Sequence, residues 1–220
     1  MRSMSGLTGI LVGICLFAGA AIAQQNSGFL GDNYSKLQDA QSPSGAKVKR
    51  WMAPGVTPGQ YEAVLLEKTV LYPETKGTDQ VSAATLNEIT AYLDEALRRE
   101  LTGVIKLAAQ PGPKTLRFKA AITAVASQDQ GLKPYQVIPI ALVFTMAKRA
   151  SGTAAKQASL SLEYEVRDAQ TNDLVGAGMR QGTEPLKNPA DRVTLAIVKP
   201  VIDGWAKDAR AFIESTKAKK

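Results

Sequence analysis

The sequence predicts an α+β domain: an antiparallel or mixed sheet of four to five strands with two long helices packed on one face, preceded by an extended N-terminal arm. Three observations carry that expectation. Apolar and polar residues alternate in "LRFKAAI" from Leu116 and in "SLSLEYEV" from Ser159, the period of a half-buried strand. Apolar residues recur at helical spacing from Ser82 to Leu101 and again beyond Asn188. Residues 24–59 are rich in Gly, Ser, Pro, Asp and Gln, with large apolar side chains only at isolated positions.

The chain opens with Arg2 and an apolar stretch from Leu7 to Ala20, too short and too rich in glycine for a membrane span. It reads as a secretory signal over residues 1–23. Ala21-Ile22-Ala23 supplies the small-x-small pattern of a signal peptidase site, which places cleavage between Ala23 and Gln24. A lipoprotein signal needs a small residue before its cysteine, and Cys15 follows Ile14. A periplasmic or secreted product is therefore expected in preference to one lipid-anchored at Cys15.

Phe29, Leu30, Tyr34, Leu37, Trp51 and Met52 punctuate the arm at 24–59 and are expected to pin it across a body spanning 60–215. "YEAVLLEKTVLY" from Tyr61 is dense in β-formers and reads as an interior strand. The helix from Ser82 presents Leu86, Ile89, Leu93, Ala96, Leu97 and Leu101 as one stripe, with Gly103 as its terminator. Asp94 with Arg98, and Glu95 with Arg99, have the spacing of surface ion pairs. In the strand from Ser159, Leu160, Leu162, Tyr164 and Val166 share one face, and Ser161, Glu163, Glu165 and Arg167 share the other. "DAQTND" then links it to "LVGAGMR" as a hairpin whose second strand accommodates Gly176 and Gly178 where neighbours crowd it. Asn188 and Pro189 are expected to open the second helix, Val193, Ile197, Val201, Trp205 and Phe212 to mark its buried side, and Pro200 to kink or split it. The apolar run Val137 to Ala147 reads as a buried crossover, with contact to a membrane surface as the other reading. Residues 216–220 form a basic tail.

The 220 residues contain no histidine, and their single cysteine, Cys15, lies in the leader. Disulfides, Cys/His zinc sites, thiol nucleophiles and histidine-based triads are thereby excluded from the mature chain. No cofactor or metal is expected. The net charge of +7 admits an anionic envelope polymer or lipid head group as partner, although Lys217, Lys219 and Lys220 place part of it at the C-terminal end. Nucleic acid is not expected, because aromatic and basic residues do not interleave as stacking platforms require.

Four clusters were weighed for chemistry. Glu163 and Glu165 project from the same strand face and could pair as a general acid and base, but a solvated sheet face is the expected reading. Asp168, Asn172 and Asp173 crowd one turn without the alternating spacing of a calcium loop, so turn chemistry is expected. "GAGMRQG" lacks the strand, glycine loop and helix order of a phosphate cradle. Phe29, Tyr34 and Trp51 are the candidate partner-binding residues, because amphipathic rings suit docking and ligand contact alike; docking onto the chain's own body is the first expectation.

"SGFLGDNYSKLQ" from Ser27, "RWMAPGV" from Arg50, "YEAVLL" from Tyr61, "AKRASG" from Ala147 and "YEVRDAQTNDLVGAG" from Tyr164 together resemble the bacterial envelope proteins grouped as domain of unknown function 3313. The resemblance runs through essentially the whole mature chain. It implies a secreted or lipid-anchored envelope protein, without implying an activity. The reading that follows is a non-catalytic envelope protein that binds or scaffolds a partner. The alternatives are a carboxylate-dependent hydrolase of envelope glycans, which requires two facing acids in a cleft, and a peripheral membrane-surface protein.

Overall fold

The computed structural model describes residues 26–129, 156–188 and 190–217. In chain order the strands are β1 (Gln38–Gln41), β2 (Lys47–Met52), β3 (Ala63–Leu66), β4 (Val70–Leu71), β5 (Lys106–Leu107), β6 (Thr115–Asp129), β7 (Lys156–Asp168) and β8 (Leu174–Pro185). The helices are α1 (Ala83–Leu101), between β4 and β5, and α2 (Leu195–Lys217), after β8. All the strands join one mixed sheet in the order β1-β2-β8-β7-β6-β3-β5, with β4 also paired to β6. The long central ladders are antiparallel, whereas β3, β4 and β5 run parallel to their partners.

The sheet has eight strands, which corrects the expected four to five; the α+β class stands. Periodicity detects β6, β7 and β8 because each is long enough to alternate several times. It cannot detect β4 and β5, which are two residues each. The other missed strands come from the arm, where Gly45 at φ +83 turns β1 back onto β2 and β2 then pairs with β8. "YEAVLLEKTVLY" is two strands rather than one. Between them the Thr69 backbone N–H and hydroxyl leave the ladder and donate to Asp94 on α1, at 3.0 and 2.6 Å.

The expected stripe of α1 is buried in full, and Ser82 caps the helix by accepting from the Thr85 N–H at 3.1 Å. Asp94 does not take up the expected pairing with Arg98, since it serves Thr69, and Arg99 reaches across to Asp203 on α2 at 2.9 Å. α2 begins at Leu195, not at Asn188, whose backbone N–H donates to Asp191 in a local turn. Pro189 lies outside the described residues. Pro200 neither ends nor splits α2. Both Pro200 and Ala196, whose carbonyl loses its partner, are exposed, so water can complete the bond.

Both helices lie on one face of the sheet, where Leu86, Ile89, Leu93, Ile122, Leu160, Val198 and Ile202 form the main core. This is the inner face. The opposite, outer face carries the start of the arm.

A candidate binding site between the sheet and the helices

Strand register fixes which side chains meet on the inner face. Arg50 on β2, Gly178 on β8 and Tyr164 on β7 form one cross-strand row. Met52, Gly176, Val166 and Phe118 form the next, and Leu162 stands opposite Arg180 on the other side. Gly176, Gly178 and Gly182 therefore all point at the helices, and two of those gaps are filled. A β-carbon at Gly178 would collide with the Tyr164 hydroxyl, and one at Gly182 with Val201. Around Gly176 the layers do not close. A crevice of about 190 Å³ remains, walled by Leu93, Leu97 and Leu101 of α1, by Trp205, Ala209, Phe212 and Ile213 of α2, and by the apolar rows of the sheet. Protein interiors hold few voids larger than one water, so a space of this size is an unfilled feature of the fold.

Charge gathers in the rows nearest Arg180. Its guanidinium donates to Asp208 at 2.7 Å, and both side chains are nearly buried. Asp208 also accepts from the Ser44 N–H at 2.9 Å and the Ser44 hydroxyl at 3.0 Å, both in the β1–β2 turn, so the arm closes this end of the crevice. Burial pushes the Asp208 carboxyl up, but hydrogen bonds from Arg180, Ser42 and Ser44 outweigh it and hold the pKa below the usual value. The Nε of Arg180 is buried without a partner among the described residues. Arg50 lies 4.9 Å over the Phe212 ring and has no carboxylate within ion-pair distance among the described residues. Burial raises the Tyr164 pKa, while the positive charges of Arg50 and Arg180 pull against that rise. Among the described residues that hydroxyl makes no hydrogen bond.

The three aromatic candidates of the arm sit on the outer face. Phe29 meets Tyr72 edge-on at 5.7 Å with Lys119 above its ring, and Lys36 lies 4.9 Å over Trp51. Tyr34, in a 3-10 turn over Gly31–Lys36, donates to Glu163 at 2.5 Å; the Ser27 hydroxyl donates to the same oxygen at 3.0 Å. Glu163 is thus not solvated, as its strand face implied, but 3% exposed. Burial raises its pKa, against hydrogen bonds from Tyr34, Ser27 and Thr123. Thr123 comes within reach because β6 bulges between Ile122 and Ala124. Glu165 is held by Arg167 at 3.1 Å and by Asn33 at 3.3 Å. Both carboxylates are therefore committed to groups of the chain itself.

Asp168 accepts from the backbone of Gln170 and Thr171 at 2.8 and 3.0 Å, bonds that lower its pKa, and Asn172 takes φ +64. This is turn chemistry, as the sequence implied. Among the described residues no cluster of three or more acids could hold a metal, and no helix is long and apolar enough to cross a membrane. Cys15, Ala23, Gln24 and the run Val137 to Ala147 lie outside the described residues. Sequence reasoning missed Arg50, Tyr164, Arg180 and Asp208 as a group. One signal was available: Gly176, Gly178, Arg180 and Gly182 fall two apart, so one face of β8 is almost stripped of bulk and carries a single cation among its glycines.

Fold and site together define a two-layer α+β domain with an apolar crevice between its layers. The chain belongs to the family described as protein of unknown function DUF3313, whose model matches residues 25–209. It is 33% identical over 207 residues to the uncharacterized lipoprotein YdcL of Escherichia coli K12, covering 92% of this chain and 93% of that one. That description is consistent with a bacterial envelope family. Solved structures give weaker matches. A minor lipoprotein of Acinetobacter baumannii is 13% identical, over 71% of this chain and 95% of that one, with a TM-score of 0.39. The protein XCC0632 of Xanthomonas campestris is 9% identical, over 76% and 92%, with a TM-score of 0.42.

Proposed function

We propose that this chain is a non-catalytic protein of the bacterial envelope, on its periplasmic or secreted side, that binds an apolar molecule between its sheet and its helices. The observation that carries the reading is the 190 Å³ crevice, whose walls are almost entirely hydrocarbon. An apolar guest gains contacts there that the empty walls lack. The E. coli relative's description as a lipoprotein supports the envelope setting. The engagement of Glu163 and Glu165 by the arm supports a structural use of both acids in preference to a glycan-cleaving pair.

The test is fluorescence titration of the delipidated protein with the neutral probe N-phenylnaphthylamine. Saturable enhancement is expected, and Ala209→Trp, which fills the crevice, should abolish it. A wild-type protein that gives no enhancement overturns the reading. Intact mass of the protein recovered from envelopes decides the leader: a free Gln24 terminus supports cleavage after Ala23, and a diacylglyceryl adduct on Cys15 overturns it.

A further inference from the structure

We propose that the guest is a single-chain amphiphile with an anionic head, its alkyl chain lying along the crevice and its head set against Arg50 and the Tyr164 hydroxyl. The inference rests on the apolar-ligand reading and adds to it the ligand's shape and charge. The shape follows from the walls. Leu93 to Leu101 on α1 and Trp205 to Ile213 on α2 each contribute about two turns, so the slot runs about 12 Å at 1.5 Å per residue. A space bounded by two such apolar runs accommodates one extended chain.

The charge follows from what is left unpaired. Asp208 is already met by Arg180 and Ser44, so that end of the crevice has no free anion. Arg50 is a cation on the crevice wall that lies over the face of Phe212 and, among the described residues, has no carboxylate partner. Directly across the sheet from it lies Gly178, a position without a side chain, over which the Tyr164 hydroxyl projects with no hydrogen-bond partner among the described residues. A fork of N–H donors and a hydroxyl without a partner among the described residues, both on the wall of one hydrocarbon slot, complement a carboxylate or phosphate on an alkyl tail. A neutral apolar guest would leave both groups without a use. A buried partner-less donor nearby, the Nε of Arg180, adds to the local demand for an acceptor.

Displacement of N-phenylnaphthylamine at pH 7.5 by decanoate and by decanol, which share a tail of about the slot's length and differ in the head, tests this directly. In the wild-type protein the carboxylate should displace the probe at about tenfold lower concentration than the alcohol. Arg50→Gln should bring that ratio to about two or less. Tyr164→Phe, which removes a donor but hardly any volume, should lower it severalfold and keeps the test decisive if Arg50→Gln does not fold. A decanoyl lysophosphatidate in parallel tells the sources apart: the tighter of the two anions names a fatty acid or a lysophospholipid, and either supports the proposal. Equal displacement by acid and alcohol, or a ratio that neither substitution moves, overturns it while leaving the apolar-ligand reading intact. A probe that never binds overturns both.

Discussion

The two faces of the sheet are finished in opposite ways. On the outer face the two carboxylates are answered by the chain itself: Glu163 by Tyr34, Ser27 and Thr123, and Glu165 by Arg167 and Asn33. On the inner face the side chains are mostly hydrocarbon, yet the packing stops short and leaves a crevice with, among the described residues, a cation without a carboxylate and a hydroxyl without a bond. The difference separates stability from binding. Carboxylates already satisfied by the chain have nothing left to offer a partner, whereas unfilled volume beside unspent donors is free energy still available to one. The aromatics of the arm attracted notice in the sequence, but the structure uses them to seal the outer face.

The comparison breaks most visibly where the inner face buries an ion pair. Asp208→Ala leaves the Arg180 guanidinium nearly buried without its carboxylate and should cost about 3–5 kcal/mol in urea denaturation. Replacing both partners together, Arg180→Met with Asp208→Leu, should recover most of that loss. A single substitution costing under about 1 kcal/mol would mean that water reaches the pair. Next comes the contrast between the filled and unfilled glycines of β8. Gly182→Ala drives a methyl into Val201 and should cost roughly 1–3 kcal/mol by overpacking. Gly176→Ala meets only ordinary contacts, the nearest being the Trp51 carbonyl at 3.5 Å, and should be nearly neutral to stability while weakening N-phenylnaphthylamine. Equal costs at the two positions would show that the layers close around Gly176 after all.

Two tyrosines sharpen the same contrast with a smaller effect. Tyr34→Phe removes the 2.5 Å bond to Glu163 and should cost about 1–2 kcal/mol. Tyr164→Phe removes a hydroxyl that bonds nothing among the described residues, and its cost should stay within roughly 0.5 kcal/mol. Thermal denaturation of the pair checks this, and a reversal of their order would place the unspent donors on the wrong face.

How far the sequence could be read depends on what period-two and helical patterns can carry. The alternation of Leu160, Leu162, Tyr164 and Val166 located β7 and its inner face, and the stripe from Leu86 to Leu101 located α1, because each repeats over several turns or pleats. β4 and β5 repeat nothing, and β2, "KVKRWM", breaks its alternation at Lys49 and Arg50 and lies in a segment whose composition resembles a linker. Those strands exist because partners with complete ladders recruit them, a long-range effect that local pattern does not hold. The site fared the same way. Arg50 and Gly178 are 128 residues apart and become neighbours only through the register of β2 with β8. The burial of Glu163 likewise comes from an arm more than a hundred residues upstream, which no property of "SLEYEV" announces.

That buried carboxylate gives the subtlest expectation. Its pKa is raised above the ordinary carboxyl value of 4.5, burial being the largest cause, so above the folded-state value Glu163 is ionised in both folded and unfolded chains and carries the full desolvation cost in the fold. As the pH falls through the folded value toward 4.5, the folded chain takes up the proton first and that cost is relieved. Glu163→Gln keeps an acceptor for Tyr34 and Ser27 but cannot titrate. The variant's stability relative to wild type should therefore be highest near pH 7, decline as the pH is lowered, and level off below 4.5. Asp208 and Asp168 do not confuse the measurement. Their pKa values are lowered from 3.8, so the stability that they contribute is complete above that pH and is lost only below it. Urea unfolding of both proteins between pH 7.5 and 4.5 follows the gap. A gap that does not change with pH would mean that Glu163 is solvated, and that the arm does not seal the outer face.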